Sequence, residues 1–166
     1  WKGERRLVVV DGKEGAEYDG IMSTSPIFSP DGNRVAYAAR RDVKWLVVVD
    51  GKESPEYDGI LQNNTVFSPD SRRAGYIAQK GSRYIVVADG QTLGEYARAD
   101  NLRFSADGRR VAYSALDSRG WHAVVDGWVG AGYYDVVMGT PIFSPDGKHD
   151  AYTVFRRGDP SIMAVV

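Results

Sequence analysis

The sequence predicts an all-β protein built from four copies of one strand-rich unit, and three recurring motifs support this prediction. The motif Phe-Ser-(Pro or Ala)-Asp recurs with spacings of 39, 37 and 39 residues, beginning at Phe28, Phe67, Phe104 and Phe143. An apolar run ending in Asp-Gly recurs at Asp11, Asp50, Asp89 and Asp126. A tyrosine follows each Phe-Ser turn, at Tyr37, Tyr76, Tyr113 and Tyr152. Strand-rich repeats of roughly 40 residues are typical of β-propeller blades.

Each unit is predicted to form a four-stranded antiparallel meander. In the unit that starts at Pro26, the predicted strands are Pro26–Ser29, Arg34–Ala39, Trp45–Val49 and Glu56–Ile60. Pro30-Asp31-Gly32 has the residues of a tight turn, and Asp50-Gly51 is a strong two-residue hairpin signal. The third strand is apolar on both faces, so its sheet requires a cover on each side. Large and small residues alternate in the second strand, which predicts that one sheet packs its bulky face on the next.

The chain is interpreted as one β-propeller domain over residues 1–166, with partial units at its two ends. Residues 1–25 supply a third and a fourth strand, and residues 141–166 supply a first, a second and a third. Together the partial units 1–25 and 141–166 are predicted to form a composite blade, with one third strand left over. Three alternatives stay open: a cut from a longer array, a displaced terminal strand, or two chains that exchange termini in a larger ring.

The turn Phe28-Ser-Pro-Asp-Gly, followed by Arg34-Val-Ala-Tyr, resembles the TolB-type, WD40-like propeller repeat. The resemblance recurs at Phe67, Phe104 and Phe143 and covers essentially the whole chain. Ser71 replaces the turn glycine in one copy, and Ala106 replaces the proline in another. The resemblance implies a bacterial protein-interaction module in a periplasmic or extracytoplasmic location. It transfers no catalytic residue, because the motif consists of turn and core residues.

Composition favours an ordinary globular domain and excludes several classes of partner. Hydrophobic residues make up 43% of the chain, charged residues 26%, and the formal net charge is −1. We therefore expect no nucleic-acid binding, which requires a basic surface. No apolar run approaches the ~18 residues of a membrane helix, so we expect no membrane insertion. The chain has no cysteine, which excludes disulfides without identifying a compartment.

The sequence predicts no catalytic residue, no metal site and no cofactor. The two histidines, His122 and His149, occupy different strand contexts, so we interpret both as incidental. No phosphate-binding loop or Gly-x-Ser-x-Gly motif is present. The repeated carboxylates are better explained as charges that keep an edge strand soluble. The repeat phenylalanines are predicted to be core residues.

The predicted binding site lies at the mouth of the central channel. The segments that connect successive units are polar and different in each copy, whereas the turns are copied. These segments enter the innermost strands, and the candidate contact residues in them are Ser23, Thr24, Asn63, Asn64, Asp100, Asn101 and Thr140. Trp128 stands at a position that is polar in other copies, so we add it as a candidate contact. Binding residues are frequently carried on variable loops of a repeated scaffold.

Charge is predicted to separate onto two faces of the ring. The loops between strands two and three are basic and carry Arg40, Arg41, Arg156 and Arg157. The turns between strands three and four, with the fourth strands, are acidic and are predicted to lie on the opposite face. Such separation steers charged partners, so a charged partner is expected to be anionic and to dock on the basic loops. Duplication of solvated loops explains the same pattern without a function.

The function predicted from these observations is a non-enzymatic scaffold. It would bind a protein partner or a surface ligand through loops at the channel mouth, as a monomer or as a homodimer formed by exchange of terminal strands. A carbohydrate-binding propeller is the main alternative, supported by Trp128 and the polar channel mouth. A propeller hydrolase ranks third, because no nucleophile or acid–base constellation stands out.

Overall fold

The computed structural model describes residues 5–136, 139–156 and 159–165, and every regular element in these ranges is a β-strand. An N-terminal hairpin pairs β1 (Val9–Val10) with β2 (Lys13–Glu14). Four antiparallel sheets follow in chain order, and we call them units 1 to 4. The described ranges contain no helix that could cross a membrane.

Unit 1 is the predicted meander with its first strand in two pieces. The pieces β3 (Gly20–Ile21) and β4 (Ile27–Phe28) both pair with β5 (Val35–Arg41). On its other edge β5 pairs with β6 (Lys44–Val49), which pairs with β7 (Lys52–Glu53). The polar segment between β3 and β4 therefore bulges out of the first strand.

Units 2 to 4 repeat this order. The strands of unit 2 are β8 (Gly59–Ile60), β9 (Val66–Phe67), β10 (Ala74–Lys80), β11 (Arg83–Ala88) and β12 (Gln91–Tyr96). Those of unit 3 are β13 (Arg98–Phe104), β14 (Val111–Asp117), β15 (Gly120–Val125) and β16 (Trp128–Val129). Those of unit 4 are β17 (Asp135–Val136), β18 (Ile142–Phe143), β19 (Asp150–Arg156) and β20 (Asp159–Val165). Unit 3 alone has a continuous first strand, with a register shift between Asp100 and Arg103.

The predicted fourth strand at Glu56–Ile60 is wrong. The fourth strand of unit 1 is β7, continued by an isolated bridge between Trp45 and Tyr57, whereas Gly59–Ile60 belongs to unit 2. Pro55 has no N–H to give to a ladder, so regular pairing stops before it. The Ser54 hydroxyl accepts the Val47 N–H at 3.0 Å, which satisfies the backbone at the interruption.

The recurring turn is held by its serine and aspartate. In unit 1 the Ser29 hydroxyl donates to the Asp31 carboxylate at 2.6 Å and accepts the Arg34 N–H at 3.0 Å. The same serine-to-aspartate bond measures 2.5, 2.5 and 2.6 Å in units 2, 3 and 4. Ser71 adopts the left-handed φ of 64° where the other copies have glycine. Its hydroxyl accepts the Asp31 N–H at 3.0 Å, so the turn without glycine is kept and also joins units 1 and 2.

The sheets stack face to face, as the alternation of large and small residues predicted. Tyr37, Ala39 and Leu46 face the N-terminal hairpin, while Ala38 and Val47 pack against unit 2. A second tyrosine row crosses each junction, because the fourth-strand tyrosine of one unit meets the second-strand tyrosine of the next. The ring pairs are Tyr18–Tyr37, Tyr57–Tyr76, Tyr96–Tyr113 and Tyr133–Tyr152, with centroids 5.8–6.2 Å apart. Burial of this apolar surface is the main stabilising contribution of each junction.

The prediction that every repeat phenylalanine is a core residue is wrong for Phe28. Phe104 is 8% exposed, whereas Phe28 is 57% exposed. In the other copies an arginine of the preceding unit lies over the ring, at 5.2 Å for Arg34 on Phe67. The described residues place no second strand beside β1, so no arginine covers Phe28.

The two chain ends are not joined by pairing in the described ranges. The only strand partner of β1 is β2, and the only strand partner of β20 is β19. A composite blade, a closed ring and exchange between two chains therefore stay predictions.

Candidate functional site

The polar segments predicted to ring a channel mouth lie inside the first strand of each unit. Ser23, Thr24 and Asn63 are exposed on these bulges, whereas Asn64 is 8% exposed. Thr140 is half-buried and its hydroxyl accepts the Thr153 N–H at 3.4 Å. The structure thus spreads these candidates along the first-strand edge of the stacked sheets.

Three of the predicted residues form one network across units 2, 3 and 4. The Asn64 amide donates to the Asp100 carboxylate at 2.9 Å, and the Asn101 amide donates to the Ser114 hydroxyl at 3.0 Å. The side-chain oxygen Oδ1 of Asn101 accepts the Gly139 N–H at 3.2 Å. Asn101 adopts a φ of 57°, a conformation that asparagine tolerates better than most residues. The network positions Asp100 and Asn101 by bonds to both neighbouring units.

A cavity of about 570 Å³ opens beside this network, and we call it the unit 3 pocket. Asp100, Asn101 and Ser114 form its polar wall. Aromatic and charged side chains complete it, from Tyr84, Trp121, Phe155, Arg98 and Asp135. Its volume lies within the range of small-ligand pockets, and convergent polar groups on an apolar lining are typical of them.

Arg98 and Asp135 are the charged residues of the unit 3 pocket that the sequence reasoning missed. They stand at the start of the first strand, where units 1 and 2 have Gly20 and Gly59. Within the described residues no ion pair involves either side chain, and the Asp135 carboxylate accepts the Val136 N–H at 2.8 Å. A comparison of the four units at this position would have identified both residues, because each replaces a glycine.

The predicted separation of charge onto opposite faces is wrong for the loop between β5 and β6. The Arg41 guanidinium pairs with Glu53 at 2.7 Å and with Glu56 at 3.4 Å. Lys44 pairs with Asp58 at 2.5 Å. The sequence predicts these carboxylates on the opposite face, but the chain after β7 returns to the end where the basic loops lie.

The pairing also changes the titration of the groups involved. The hydrogen bond from Arg41, followed by that from the Tyr18 hydroxyl, lowers the pKa of Glu53 below its ordinary value. The same pair raises the pKa of Arg41. Arg40 is exposed and donates to the Asp19 carbonyl at 3.4 Å. Arg157 and the Arg156 side chain lie outside the described residues. An anionic partner on these loops therefore stays a prediction.

Trp128 is 63% exposed, at the start of β16 next to the Asp126-Gly127 turn. It is absent from the lining of the unit 3 pocket. Its role as a contact residue stays a prediction. Trp121 follows the repeat, because it occupies the position of Trp45 in unit 1.

His122 is fully buried and replaces the aliphatic Leu46 and Ile85 of units 1 and 2. Its Nε2 lies 2.7 Å from the Asp117 carboxylate, and its Nδ1 lies 3.1 Å from the Gly130 carbonyl oxygen. Both ring nitrogens are thus engaged inside unit 3. A side chain at Gly132 would crowd the ring, since an added Cβ would lie 3.1 Å from His122 Cε1. The described residues contain no group of three or more potential metal ligands.

The His122–Asp117 contact predicts a specific acid sensitivity. The hydrogen bond from His122 holds the pKa of Asp117 well below its ordinary value. A depressed carboxyl pKa stabilises the fold above the unfolded-state pKa, and this stability is lost as the pH falls toward the folded-state pKa. Between about pH 7 and about pH 3, wild type should therefore lose more unfolding free energy than Asp117→Asn. Urea titrations at both pH values measure the difference, and equal losses would contradict the assignment.

The chain matches no protein-family model and no curated protein, but it resembles solved β-propeller structures. TolB from Acinetobacter baumannii superposes with a TM-score of 0.52 at 15% identity, over 92% of this chain and 42% of that one. A structure assigned to TolB from Agrobacterium tumefaciens gives 0.54 at 14%, over 96% and 68%. The propeller domain of the Trilobed protease from Pyrococcus furiosus, with an open velcro topology, gives 0.54 at 12%, over 93% and 59%.

These likenesses confirm the resemblance to TolB-type, WD40-like propellers at the level of the fold. The chain spans 42% of the length of the Acinetobacter protein and 59% of the Pyrococcus domain. One compared structure is named for a protease and the others for TolB, so the shared fold does not choose between binding and catalysis.

Proposed function

We propose that the chain is a non-enzymatic binding module whose protein partner or surface ligand occupies the unit 3 pocket. This proposal rests on the observation that the repeat sequence changes at positions that line the unit 3 pocket. Arg98 and Asp135 replace glycines, and Asp100 replaces an apolar residue, Leu61 in unit 2. Units 1 and 2 form the same sheet without charges at these positions, so the fold does not require them. An extracytoplasmic location, implied by the family resemblance, is part of the same proposal.

The chemistry of the pocket supports a ligand with both polar and flat apolar parts. The free guanidinium of Arg98 binds carboxylate or phosphate oxygens, and the carboxylate of Asp135 accepts from hydroxyl or ammonium groups. The rings of Tyr84, Trp121 and Phe155 offer apolar contact area. A peptide segment of a partner protein combines these features, and this is the occupant that we favour.

A carbohydrate ligand is the second candidate, favoured by one observation. Aromatic and hydrogen-bonding residues line the same cavity, among them Trp121, Asp100 and Asn101. A sugar ring presents a flat apolar face and hydroxyl groups at its edge, so it could contact both. Trp128 does not contribute to this cavity.

Restoring the repeat sequence tests the proposal. Arg98→Gly combined with Asp135→Gly gives unit 3 and unit 4 the residue of units 1 and 2, so we expect the fold to persist. Binding to a peptide array or a glycan array should fall by about tenfold or more, since hydrogen bonds to charged groups contribute roughly 1.5–3 kcal/mol. The control is Arg109→Ala, which removes a side chain that is 86% exposed and absent from the pocket.

The tryptophan positions separate the two candidates. Trp121→Ala should abolish glycan binding if a sugar stacks on the ring, and Trp45→Ala removes the equivalent ring of unit 1 as a matched control. If the chain binds peptides but no glycans, and Trp45→Ala leaves that binding unchanged, the result supports the protein partner. Binding that survives the glycine double variant would contradict the pocket as the site.

A further inference from the structure

A second cavity opens between units 1 and 2, and we call it the junction cavity. Its volume is about 630 Å³, and none of its lining residues belongs to the unit 3 pocket. The third strand and the Asp-Gly turn of unit 1 form one wall, and the second strand and the Asp-Gly turn of unit 2 form the other. The lining residues that matter for its chemistry are Arg34, Val47, Val49, Ser54, Ala74 and Tyr76.

A serine stands in the junction cavity at a position that is leucine in the next unit. Ser54 lies four residues after Asp50, and Leu93 lies four residues after Asp89, so the two positions are equivalent. Leu93 is half-buried and packs against the apolar cluster that joins units 2 and 3. The Ser54 hydroxyl instead turns to its own sheet, where it accepts the Val47 N–H at 3.0 Å. The serine thus leaves open a volume that leucine fills at the next junction.

The floor of the junction cavity is apolar. Val47 is 1% exposed, and it belongs with Tyr76 to the cluster that joins units 1 and 2. Val49 is half-buried and packs against the same cluster. A ligand that placed an apolar group on these side chains would gain the free energy of removing apolar surface from water.

The polar end of the cavity contains a guanidinium group with one unpaired nitrogen. The Nε of Arg34 pairs with the Asp50 carboxylate at 2.8 Å. Its Nη1 donates to the carbonyl oxygens of Ser71 and Arg72 at 3.1 and 2.7 Å. Within the described part of the chain, no hydrogen bond or ion pair reaches Nη2 of Arg34. This nitrogen can therefore donate to a ligand.

The equivalent arginine of unit 3 shows which group this nitrogen binds. Arg110 also pairs through Nε with its own Asp-Gly turn, and its Nη2 pairs with the Asp150 carboxylate at 2.7 Å. Asp150 is the first residue of β19, and Ala74 is the first residue of β10, so the two positions are equivalent. The junction cavity therefore has the arginine of this ion pair, and an alanine where the carboxylate would stand.

Unpaired charge at the rim of the junction cavity is positive. Lys52 and Arg72 are exposed lining residues, and neither takes part in an ion pair among the described residues. The carboxylates in the lining, from Asp50, Glu53 and Asp89, each pair with an arginine. The rim thus favours an anionic ligand over a cationic one.

We propose that the junction cavity binds a small carboxylate that carries an apolar chain. The carboxylate accepts a hydrogen bond from Nη2 of Arg34, as Asp150 does from Arg110. The chain lies on Val47 and Val49, in the volume that leucine fills at the next junction. Charge-assisted bonds between guanidinium and carboxylate are among the stronger hydrogen bonds. A free organic acid and the C-terminal residue of a peptide both present this chemistry, and the site does not depend on the ligand of the unit 3 pocket.

Hexanoate and its neutral analogue hexanamide test the site on the full chain. Titration with hexanoate, followed by NMR, should shift the methyl signals of Val47 and Val49. Hexanamide should bind about tenfold more weakly, because hydrogen bonds between charged groups are stronger than those between neutral ones.

Acetyl-alanyl-leucine and its C-terminal amide form the second arm of the experiment. Binding of hexanoate alone identifies a free acid as the ligand, and binding of the peptide acid alone identifies a peptide C-terminus. Both results support the carboxylate site. The proposal is overturned if neither acid shifts the two valines, or if each amide binds as well as its acid.

Two variants close the site with residues taken from other units. Ser54→Leu gives unit 1 the residue of unit 2 and should fill the apolar end. Ala74→Asp gives unit 2 the residue of unit 4 and supplies Arg34 with an internal carboxylate. Each should lower hexanoate affinity about tenfold or more while circular dichroism shows the fold retained. If one variant does not fold, the other decides, and wild-type affinity in a folded variant would contradict the proposal.

Arg98→Gly combined with Asp135→Gly is the control, because both residues lie outside the junction cavity. This double variant should bind hexanoate with wild-type affinity. Loss of hexanoate binding would place the acid in the unit 3 pocket and overturn the proposal. A failure to find any peptide or glycan for the unit 3 pocket would leave the hexanoate result unchanged, so the two proposals are tested separately.

Discussion

Replacing Phe104 by alanine should lower the free energy of unfolding by about 3–5 kcal/mol. The ring is 8% exposed in the cluster that joins units 2 and 3, beside Leu102, Val86 and Tyr113. Its loss leaves a cavity and removes the aromatic face beneath the Arg73 guanidinium. Urea titration followed by circular dichroism measures the change.

Phe28→Ala provides the matched control, because it makes the same chemical change in the same turn motif. Phe28 is 57% exposed and no arginine of the described ranges lies over its ring, so we expect a loss below about 1 kcal/mol. Equal losses for the two variants would mean that the Phe28 face is covered in solution. A loss below about 1 kcal/mol for Phe104→Ala would contradict its placement at the junction.

The recurring turn explains why much of the fold was predictable from the sequence. Ser29 and Asp31 bond within six residues of chain, so the motif specifies its own geometry wherever it occurs. The Asp50-Gly51 hairpin is equally local, with φ values of 51° and 77°. The apolar third strand and the alternation around Tyr37 then predicted stacking on both faces, which the junction clusters confirm.

Features that depend on neighbouring units were not predictable from the motif alone. The exposure of Phe28 depends on an arginine that another unit supplies, although the residue itself is identical to Phe104. The pairing of Arg41 with Glu53 depends on the direction in which β7 runs, which a count of loop charges ignores. The misplaced boundary at Pro55 moved Gly59–Ile60 into the wrong unit and hid the glycine position later occupied by Arg98.

The candidate site was predicted in part. Polar, variable segments pointed to Asn64, Asp100 and Asn101, which the structure brings into one network. Tyr84, Trp121 and Phe155 were not connected with them, because these rings come from second and third strands of three units. Their separation in the sequence does not reveal that they line one cavity, because this depends on how the units stack.

Replacing Arg110 by alanine should lower stability by about 2–3 kcal/mol and should act on the junction of units 3 and 4. The guanidinium pairs with Asp126 at 2.8 Å and with Asp150 at 2.7 Å, and it donates to the Lys148 carbonyl at 3.2 Å. Hydrogen bonds to charged groups contribute roughly 1.5–3 kcal/mol each, but this side chain is 27% exposed, which screens part of that energy. The variant leaves Asp150 as an unpaired, partly buried carboxylate.

The effect should be local, because in the described part of the chain the buried clusters join each unit to its neighbours in the way that stacked repeats do. Amide exchange in β19 should accelerate in Arg110→Ala, while exchange in β10 keeps the wild-type rate. Arg109→Ala is the adjacent control: its side chain is 86% exposed and its ion-pair distance is 3.9 Å, so we expect a change of about 0.5 kcal/mol or less. Uniform acceleration across β10 and β19 would show that the units unfold together, and an unchanged β19 would show that Arg110 does not hold this junction.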